Sequence, residues 1–330
     1  LLGPLGRVSL SVVAGLALIV FGVRLLFRRY HLLGQGLSGA GFVTLYFAFY
    51  AASPLYHLMG QAPAFVLMAC VTAAAGALAV LYRTPMIAVV GLVGGYATPV
   101  MLSRGGGSEL FFYSYVLLLG VGVLGVSLAR RWLSLNVLGM VAAYGLAFAY
   151  CAHHHGAAHA FHGLLFLSAV HLLYLLSVVL GNLRRRMPTT VVEWLAVLLN
   201  AGLYWCWVMV LFHPAFGKAG TGLVALAMTA VYVALLYACL ARKSDDRTFL
   251  DLLLALSSVF LALSPVLLLP GDWLTLAWCL QALAMVWMAR RSGSRLLDVL
   301  GLVLFALATV RGLCLDLYRL YGVEDPEVLR

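Results

Sequence analysis

The sequence predicts an all-α integral membrane protein, a polytopic bundle of about twelve transmembrane helices. Hydrophobic residues make up 64% of its 330 residues and charged residues 10%, whereas soluble domains carry roughly 25% charged residues. The apolar residues form runs of about 20, the length that an α-helix needs to cross a bilayer. Basic loops also alternate along the chain, as expected when each run crosses the membrane once.

Twelve apolar runs can be placed, and each predicts one helix. They lack the polar and apolar alternation of lipid-facing strands, which excludes a β-barrel. Short connections favour antiparallel neighbours within one transmembrane domain over residues 1–330. Because the chain begins with Leu1 and not Met, we expect a fragment of a longer protein. The predicted helices are Leu10–Phe27, Gly36–Ala52, Ala62–Tyr82, Met86–Leu102, Leu110–Ala129, Leu133–Cys151, Phe161–Leu180, Val191–Phe212, Gly222–Leu240, Phe249–Leu269, Trp273–Met288 and Leu296–Cys314.

Basic residues set the predicted orientation. The opposite loops hold only Arg104 and Lys218, whereas fifteen of the 21 Lys and Arg residues lie in every second loop. Cytoplasmic loops retain positive charge, so both ends of the chain are predicted to face outward from the bacterial inner membrane. The net charge of +10 then indicates topology and lipid head groups, not nucleic acid. The fifteen are Arg24, Arg28, Arg29, Arg83, Arg130, Arg131, Arg184, Arg185, Arg186, Arg242, Lys243, Arg247, Arg290, Arg291 and Arg295.

The stretch GLVGGYATPVMLSRGGGSEL contains six glycines in residues 91–110. It lacks the strand and the GxxxxGK[ST] pattern of a phosphate loop. Gly91 and Gly95 form a GxxxG pair that, with Gly94, predicts close helix packing in lipid. Pro99 and the glycines after it predict a break at the outward helix end, where transporters place ion and substrate sites. Packing is the favoured interpretation, and a broken-helix site is the alternative.

The same region resembles a known family. The segments GQGLSGAGFVTLYFAFYAASPLYHLMGQAPAF, AVVGLVGGYATPVMLSRGGG and FFYSYVLLLGVGVLGVSLARRWLSLNVLG follow in order. Their GG-x-x-TP turn, double-arginine loop and spacing resemble the bacterial predicted-membrane-protein family called domain of unknown function 2339. The resemblance extends over residues 33–150, with a weaker echo in RGLCLDLYRLYG. It implies the helical membrane architecture and a truncated or minimal member, but no particular activity.

Histidines are concentrated on the predicted outer side. In CAHHHGAAHAFHG, the residues His155, His159 and His162 have the i, i+4, i+7 spacing that places three imidazoles on one helix face. Such a set predicts zinc or copper binding, with Cys151 as a soft ligand, or a proton relay. Composition favours solvated histidines. No cofactor is therefore predicted, and zinc or copper is kept as the alternative.

Several polar side chains fall within the predicted helices, where an ionisable group costs several kcal/mol unless it is paired or hydrated. Glu193, Asn200 and Tyr204 recur at i, i+7 and i+11 on one face of the eighth helix. His171 and Gln281 lie in the middle of the seventh and eleventh helices. All five are candidates for a substrate pathway. Helix-end electrostatics at Glu193 and interhelical hydrogen bonds are the structural alternatives.

On the predicted outer side, Tyr96 and Arg104 extend this candidate pathway, while Glu109, His155 and Asp272 are candidate catalytic acids or bases. No nucleophile elbow, HExxH motif or nucleotide fingerprint occurs. The predicted function is transport or translocation of a small or lipid-linked cell-envelope molecule. One alternative is an enzyme that acts on a lipid-linked substrate at the outer face, and another is a scaffold or assembly subunit. Membrane lipids and other membrane proteins are the expected partners.

Overall fold

The computed structural model describes residues 3–102, 109–130, 132–153, 156–185, 189–242 and 246–316. These residues form twelve α-helices and contain no strand, which confirms the all-α membrane fold. The helices are α1 (Pro4–Phe27), α2 (His31–Tyr50), α3 (Gln61–Tyr82), α4 (Pro85–Leu102), α5 (Glu109–Ala129), α6 (Leu133–His153), α7 (Ala157–Arg185), α8 (Val191–Trp207), α9 (His213–Ala241), α10 (Arg247–Leu268), α11 (Gly271–Ser292) and α12 (Arg295–Arg311).

Most of these helices are suited to a bilayer. Within the described residues, ten helical stretches are long and apolar enough to cross a membrane. One of the ten, Val191–Ala241, joins α8 to α9 through a π-helical turn at Val208–Phe212. Two further π-helical turns, Ala51–Leu55 and Gly312–Asp316, follow α2 and α12. The protein is therefore a multi-pass membrane protein.

Several helices extend beyond the apolar runs that predicted them. α1 begins at Pro4, six residues before the predicted start, because proline is well suited to the first helical turn, where its missing N–H is not needed. α9 begins at His213 and not at Gly222, and it bends at Gly217. Hydropathy marks the part of a helix that lies in hydrocarbon, whereas the helix itself continues into the interface.

The helices pack as two compact units, and the single transmembrane domain stays a prediction. The first unit comprises Leu1–Gly181 and Leu195–Tyr204, and the second comprises Asn182–Trp194 and Trp205–Arg330. In the first unit α1 packs on α2, and α4 contacts α2, α3, α5 and α6. In the second unit α10 packs against α9, α11 and α12. α4 and α10 are thus the central helices of their units.

Side chains fix the starts of α8 and α10, and both of these starts lie in the second unit. Thr190 and Glu193 form a reciprocal cap on α8: Glu193 Oε2 accepts from the Thr190 backbone N–H at 2.8 Å, and the Glu193 N–H donates to Thr190 Oγ1 at 3.4 Å. On α10, Asp246 Oδ1 accepts from the Phe249 N–H at 3.2 Å. Glu193, a candidate pathway residue, is therefore a buried helix-capping residue in this structure.

Candidate functional site

An apolar groove of about 790 Å³ lies in the first unit between α3 and α5, with α4 as its floor. Its walls carry small residues, including the exposed Ala73 and Ala77 on α3 and Gly122 and Gly125 on α5. A Cβ added to either glycine would meet no atom within 4 Å. The volume falls within the range of about 300–1,000 Å³ that is usual for small-molecule sites. The groove is open along these helices and has room for a ligand.

The groove is long and has one polar end. It follows α5 from Tyr115 to Ala129, a rise of about 21 Å at 1.5 Å per residue. That length is roughly two thirds of the ~30 Å hydrocarbon core of a bilayer. Its side-chain hydroxyls belong to Thr72, Tyr96 and Tyr115. They lie at one end of the groove, near its first lining residue on α3, at its last on α4 and at its first on α5. The groove therefore combines a long apolar track with a hydroxyl-bearing end.

The Tyr115 hydroxyl replaces a backbone hydrogen bond that Pro99 removes from α4. Pro99 lies inside α4, which continues to Leu102. Because proline has no N–H, the carbonyl four residues earlier, that of Gly95, loses its helical partner. The Tyr115 hydroxyl donates to this carbonyl at 2.9 Å. Lipid supplies no donor, so a side chain from α5 replaces the missing helical hydrogen bond.

The three glycines of α4 are sites of close helix approach. A Cβ on Gly91 would lie 2.8 Å from Ala75 Cβ, and one on Gly95 would lie 2.8 Å from Thr72 Cγ2. On Gly94 the same atom would lie 2.3 Å from the ring of Tyr46. None of the three positions has room for a side chain. The glycines at 105–107, part of the proposed helix break, lie outside the described residues.

Three of the candidate pathway residues lie together in the first unit. Asn200 on α8 donates from Nδ2 to the His171 carbonyl at 3.0 Å, and its Oδ1 accepts from the Tyr144 hydroxyl at 2.9 Å. The Tyr204 hydroxyl is 2.7 Å from Ser168 Oγ. Asn200, His171 and Tyr204 are all buried. These contacts join α6, α7 and α8 through interhelical hydrogen bonds.

A small cavity adjoins this hydrogen-bonded cluster. Asn136, Tyr174 and Asn200 line it, and its volume is about 10 Å³, which is room for about one water molecule. Asn136 Nδ2 donates to Ser177 Oγ at 2.6 Å. The Tyr174 hydroxyl lies 3.2 Å from the hydroxyl of Tyr96, which lines the groove. A chain of polar groups thus connects the groove floor to the cavity.

A second polar cluster lies at the beginning of α5 and α7. Glu109 Oε2 is 2.9 Å from His159 Nδ1 and 3.4 Å from His162 Nδ1. The Glu109 side chain is 17% exposed, and that of His159 is 39% exposed. The other carboxylate oxygen, Oε1, is buried and has no hydrogen-bond partner in the described part of the chain. A carboxylate that orients an imidazole in this way is suited to general acid–base chemistry.

A family comparison identifies the chain. Its residues 1–325 match the family described as Predicted membrane protein (DUF2339). The chain belongs to this family. The resemblance seen in residues 33–150 is confirmed, and the match covers nearly all of the sequence. A search of the curated proteins and a search of the solved structures each found no match.

The other predicted site residues of this DUF2339 member are dispersed. Gln281 on α11 donates from Nε2 to the Ser258 carbonyl at 2.7 Å, which ties α11 to α10 in the second unit. Arg104, His155 and the side chain of Asp272 lie outside the described part of the structure. Within the described part, no group of three His, Cys, Asp or Glu side chains is placed to hold a metal ion.

Sequence analysis missed most of the residues that build these sites. Asn136 and Tyr144 have an i, i+8 spacing on α6 that fits one helix face, so a search for polar faces would have found them. Pro99 signals that the Gly95 carbonyl needs a donor, but no sequence rule says which helix supplies it. The missed residues are Tyr46, Thr72, Tyr115, Asn136, Tyr144 and Tyr174.

Proposed function

We propose that this protein binds a lipid-linked cell-envelope molecule in the groove of α3, α4 and α5 and translocates it across the membrane. The groove itself is the observation that carries the proposal. Its track of about 21 Å matches an extended hydrocarbon chain, and its lining is apolar except for three hydroxyl-bearing side chains. The three hydroxyls are engaged in hydrogen bonds within the protein, so a bound chain meets an essentially apolar track.

The groove's shape supplies the selectivity in this proposal. Lipid tails are as apolar as leucine, so a chain that enters the groove from the bilayer gains little from the hydrophobic effect. Binding depends instead on van der Waals contact with the walls. The walls leave space for a chain because they carry small residues, namely Ala73, Ala77, Gly122 and Gly125. Larger side chains at these positions would therefore exclude a lipid chain.

Two glycines of the groove provide the test. Gly122→Leu and Gly125→Leu place side chains into open space, so they should fill the groove without disturbing the fold. Gly145→Leu and Gly202→Leu are matched controls, because these glycines also have open space around them but lie outside the groove. The measurement is the rate at which a head-group-labelled phospholipid crosses between leaflets of proteoliposomes.

The proposal expects the wild type and both controls to accelerate the crossing. The Gly122→Leu, Gly125→Leu double variant should slow it at least severalfold at equal protein content. Crossing at the wild-type rate in the double variant would contradict the proposal.

A membrane enzyme with an outer-face site is the second candidate function. The convergence of Glu109 and His159, 2.9 Å apart, favours it, because the two groups can share a proton during acid–base catalysis. In its zinc-dependent form, the enzyme would hold the metal through His159 and His162 together with ligands outside the described residues, because the described part has no group of three such side chains placed for a metal.

Metal analysis of untagged protein, compared with the His159→Ala, His162→Ala double variant, tests that form. One zinc per chain that is lost in the variant would support it, and equal substoichiometric metal in both would contradict it.

A further inference from the structure

The apolar end of the groove is flanked by arginines. Arg83 is the residue that ends α3, and Arg130 directly follows α5. Arg130 donates from Nε and Nη2 to the Val80 carbonyl at 3.3 and 3.1 Å, and Val80 lines the groove. The Arg130 guanidinium is therefore held at the groove's end by the wall of the groove itself.

This guanidinium keeps donors for a ligand. Arginine has five N–H groups in a planar fork, and the two hydrogen bonds to Val80 leave three of them without a partner among the described residues. Arg83 is exposed at the end of α3, directly after the groove-lining segment that includes Val80 and Leu81. A phosphate oxygen is the acceptor that such a fork binds best.

No carboxylate is available to neutralise these charges within the first unit. The sequence of that unit contains a single acidic residue, Glu109, which begins α5, whereas Arg130 follows its other end. The separation along the helix is about 30 Å, three times the Debye length of about 10 Å at 0.1 M salt. The cationic end of the groove is thus uncompensated by the unit's own side chains.

We infer that the groove binds an anionic phospholipid, with an acyl chain along α3 and α5 and its phosphate at Arg130 and Arg83. This inference rests on the proposed lipid-binding role of the groove and adds the class of lipid. An amphiphile with an apolar chain and a negative head group is complementary to an apolar track that ends in arginines without an acidic residue of the first unit nearby. Neutral phospholipids fill the track equally well but lack the net charge that the arginines attract.

The test compares phosphatidylglycerol with phosphatidylcholine of the same acyl chains, each titrated into the full chain in detergent and counted by native mass spectrometry. The wild type should retain phosphatidylglycerol in preference. Arg83→Gln leaves the Arg130–Val80 contact intact and should lower that preference about fivefold. The Arg83→Gln, Arg130→Gln double variant should abolish it while phosphatidylcholine binding stays unchanged. Arg290→Gln, Arg295→Gln is the matched control, because both residues are exposed and belong to the second unit, whereas the groove lies in the first.

The arginine variants and the leucine variant distinguish a failure of the head-group inference from a failure of the proposed function. If the double arginine variant keeps the wild-type preference, the head-group inference is overturned, whether or not the lipid still depends on the groove. If Gly122→Leu, Gly125→Leu retains both lipids as the wild type does, the groove itself is not the binding site and the proposed function fails with it. A wild-type dimer that becomes monomeric in that leucine variant would assign the groove to a second copy of the chain and overturn the lipid inference.

Discussion

Gly94 illustrates how the absence of one side chain shapes the first unit. The Tyr46 ring occupies the space where a Cβ on Gly94 would lie, at 2.3 Å. The ring has little freedom to move, because its hydroxyl is 2.8 Å from Thr72 Oγ1 and donates to the Gly91 carbonyl at 3.2 Å. α2, α3 and α4 therefore meet around one tyrosine.

Replacing Gly94 by alanine tests this packing. We expect Gly94→Ala to lower the free energy of unfolding by about 1–3 kcal/mol, the usual cost of overpacking a filled core. Gly145→Ala is the control; it has open space and should be neutral or stabilising by up to about 1 kcal/mol from helix propensity. Unfolding in mixed detergent micelles measures both. Equal stability of the two variants would show that the Tyr46 ring can move aside.

Replacing Asn200 by leucine tests the interhelical hydrogen bonds of α6, α7 and α8. Asn200→Leu removes the acceptor of the Tyr144 hydroxyl and the donor to the His171 carbonyl. We expect a loss of about 0.6–1.7 kcal/mol, the range measured for hydrogen bonds between membrane helices. In a double-mutant cycle with Tyr144→Phe, the two losses should be less than additive, because both variants remove one shared bond. Strictly additive losses would show that the Tyr144–Asn200 bond contributes nothing.

At the scale of a helix, α9 depends on one backbone conformation. Gly217 has φ 66° and ψ −166° inside the helix, a region that is essentially restricted to glycine. Because a Cβ at Gly217 would meet no atom within 4 Å, any effect of a substitution there comes from the backbone alone.

We therefore expect Gly217→Ala to destabilise the protein by about 1–3 kcal/mol through backbone strain. Gly202→Ala, an exposed helical glycine with open space and ordinary backbone angles, should cause no loss. The two variants are compared by their thermal unfolding, which is monitored by size-exclusion chromatography of heated samples. A Gly217→Ala variant as stable as wild type would mean that α9 straightens without cost.

The sequence predicts the helices well because an apolar run of about 20 residues has few alternatives in a bilayer. It predicts their ends poorly: α1 begins at Pro4 and not at Leu10, since interfacial residues extend a helix without raising hydropathy. It also nominates Glu109 and His159 separately, but cannot pair them, because they are 50 positions apart and on different helices. The groove is not predictable either, because it depends on how far α3 and α5 separate over α4.

For the whole molecule, the distribution of arginines predicts the orientation. In a background without the six native cysteines, a cysteine introduced at Gly107 or Ala157 should react with an impermeant thiol reagent added outside the cell. One introduced at Ser244 should react only after the membrane is permeabilised. The reverse pattern would invert the topology and place the Arg83–Arg130 end of the groove in the outer leaflet.

The central claim is that a lipid chain occupies the groove, and site-specific photolabelling tests it most directly. A phospholipid with a photoreactive group in its acyl chain is incorporated into proteoliposomes that contain the protein. After illumination, the residues to which the lipid is cross-linked are mapped by mass spectrometry. We expect labelling concentrated on the groove segments of α3 and α5, lost in Gly122→Leu, Gly125→Leu and kept in Gly145→Leu. Labelling spread evenly over the exposed helix faces, and unchanged in the groove-filling variant, would contradict the account.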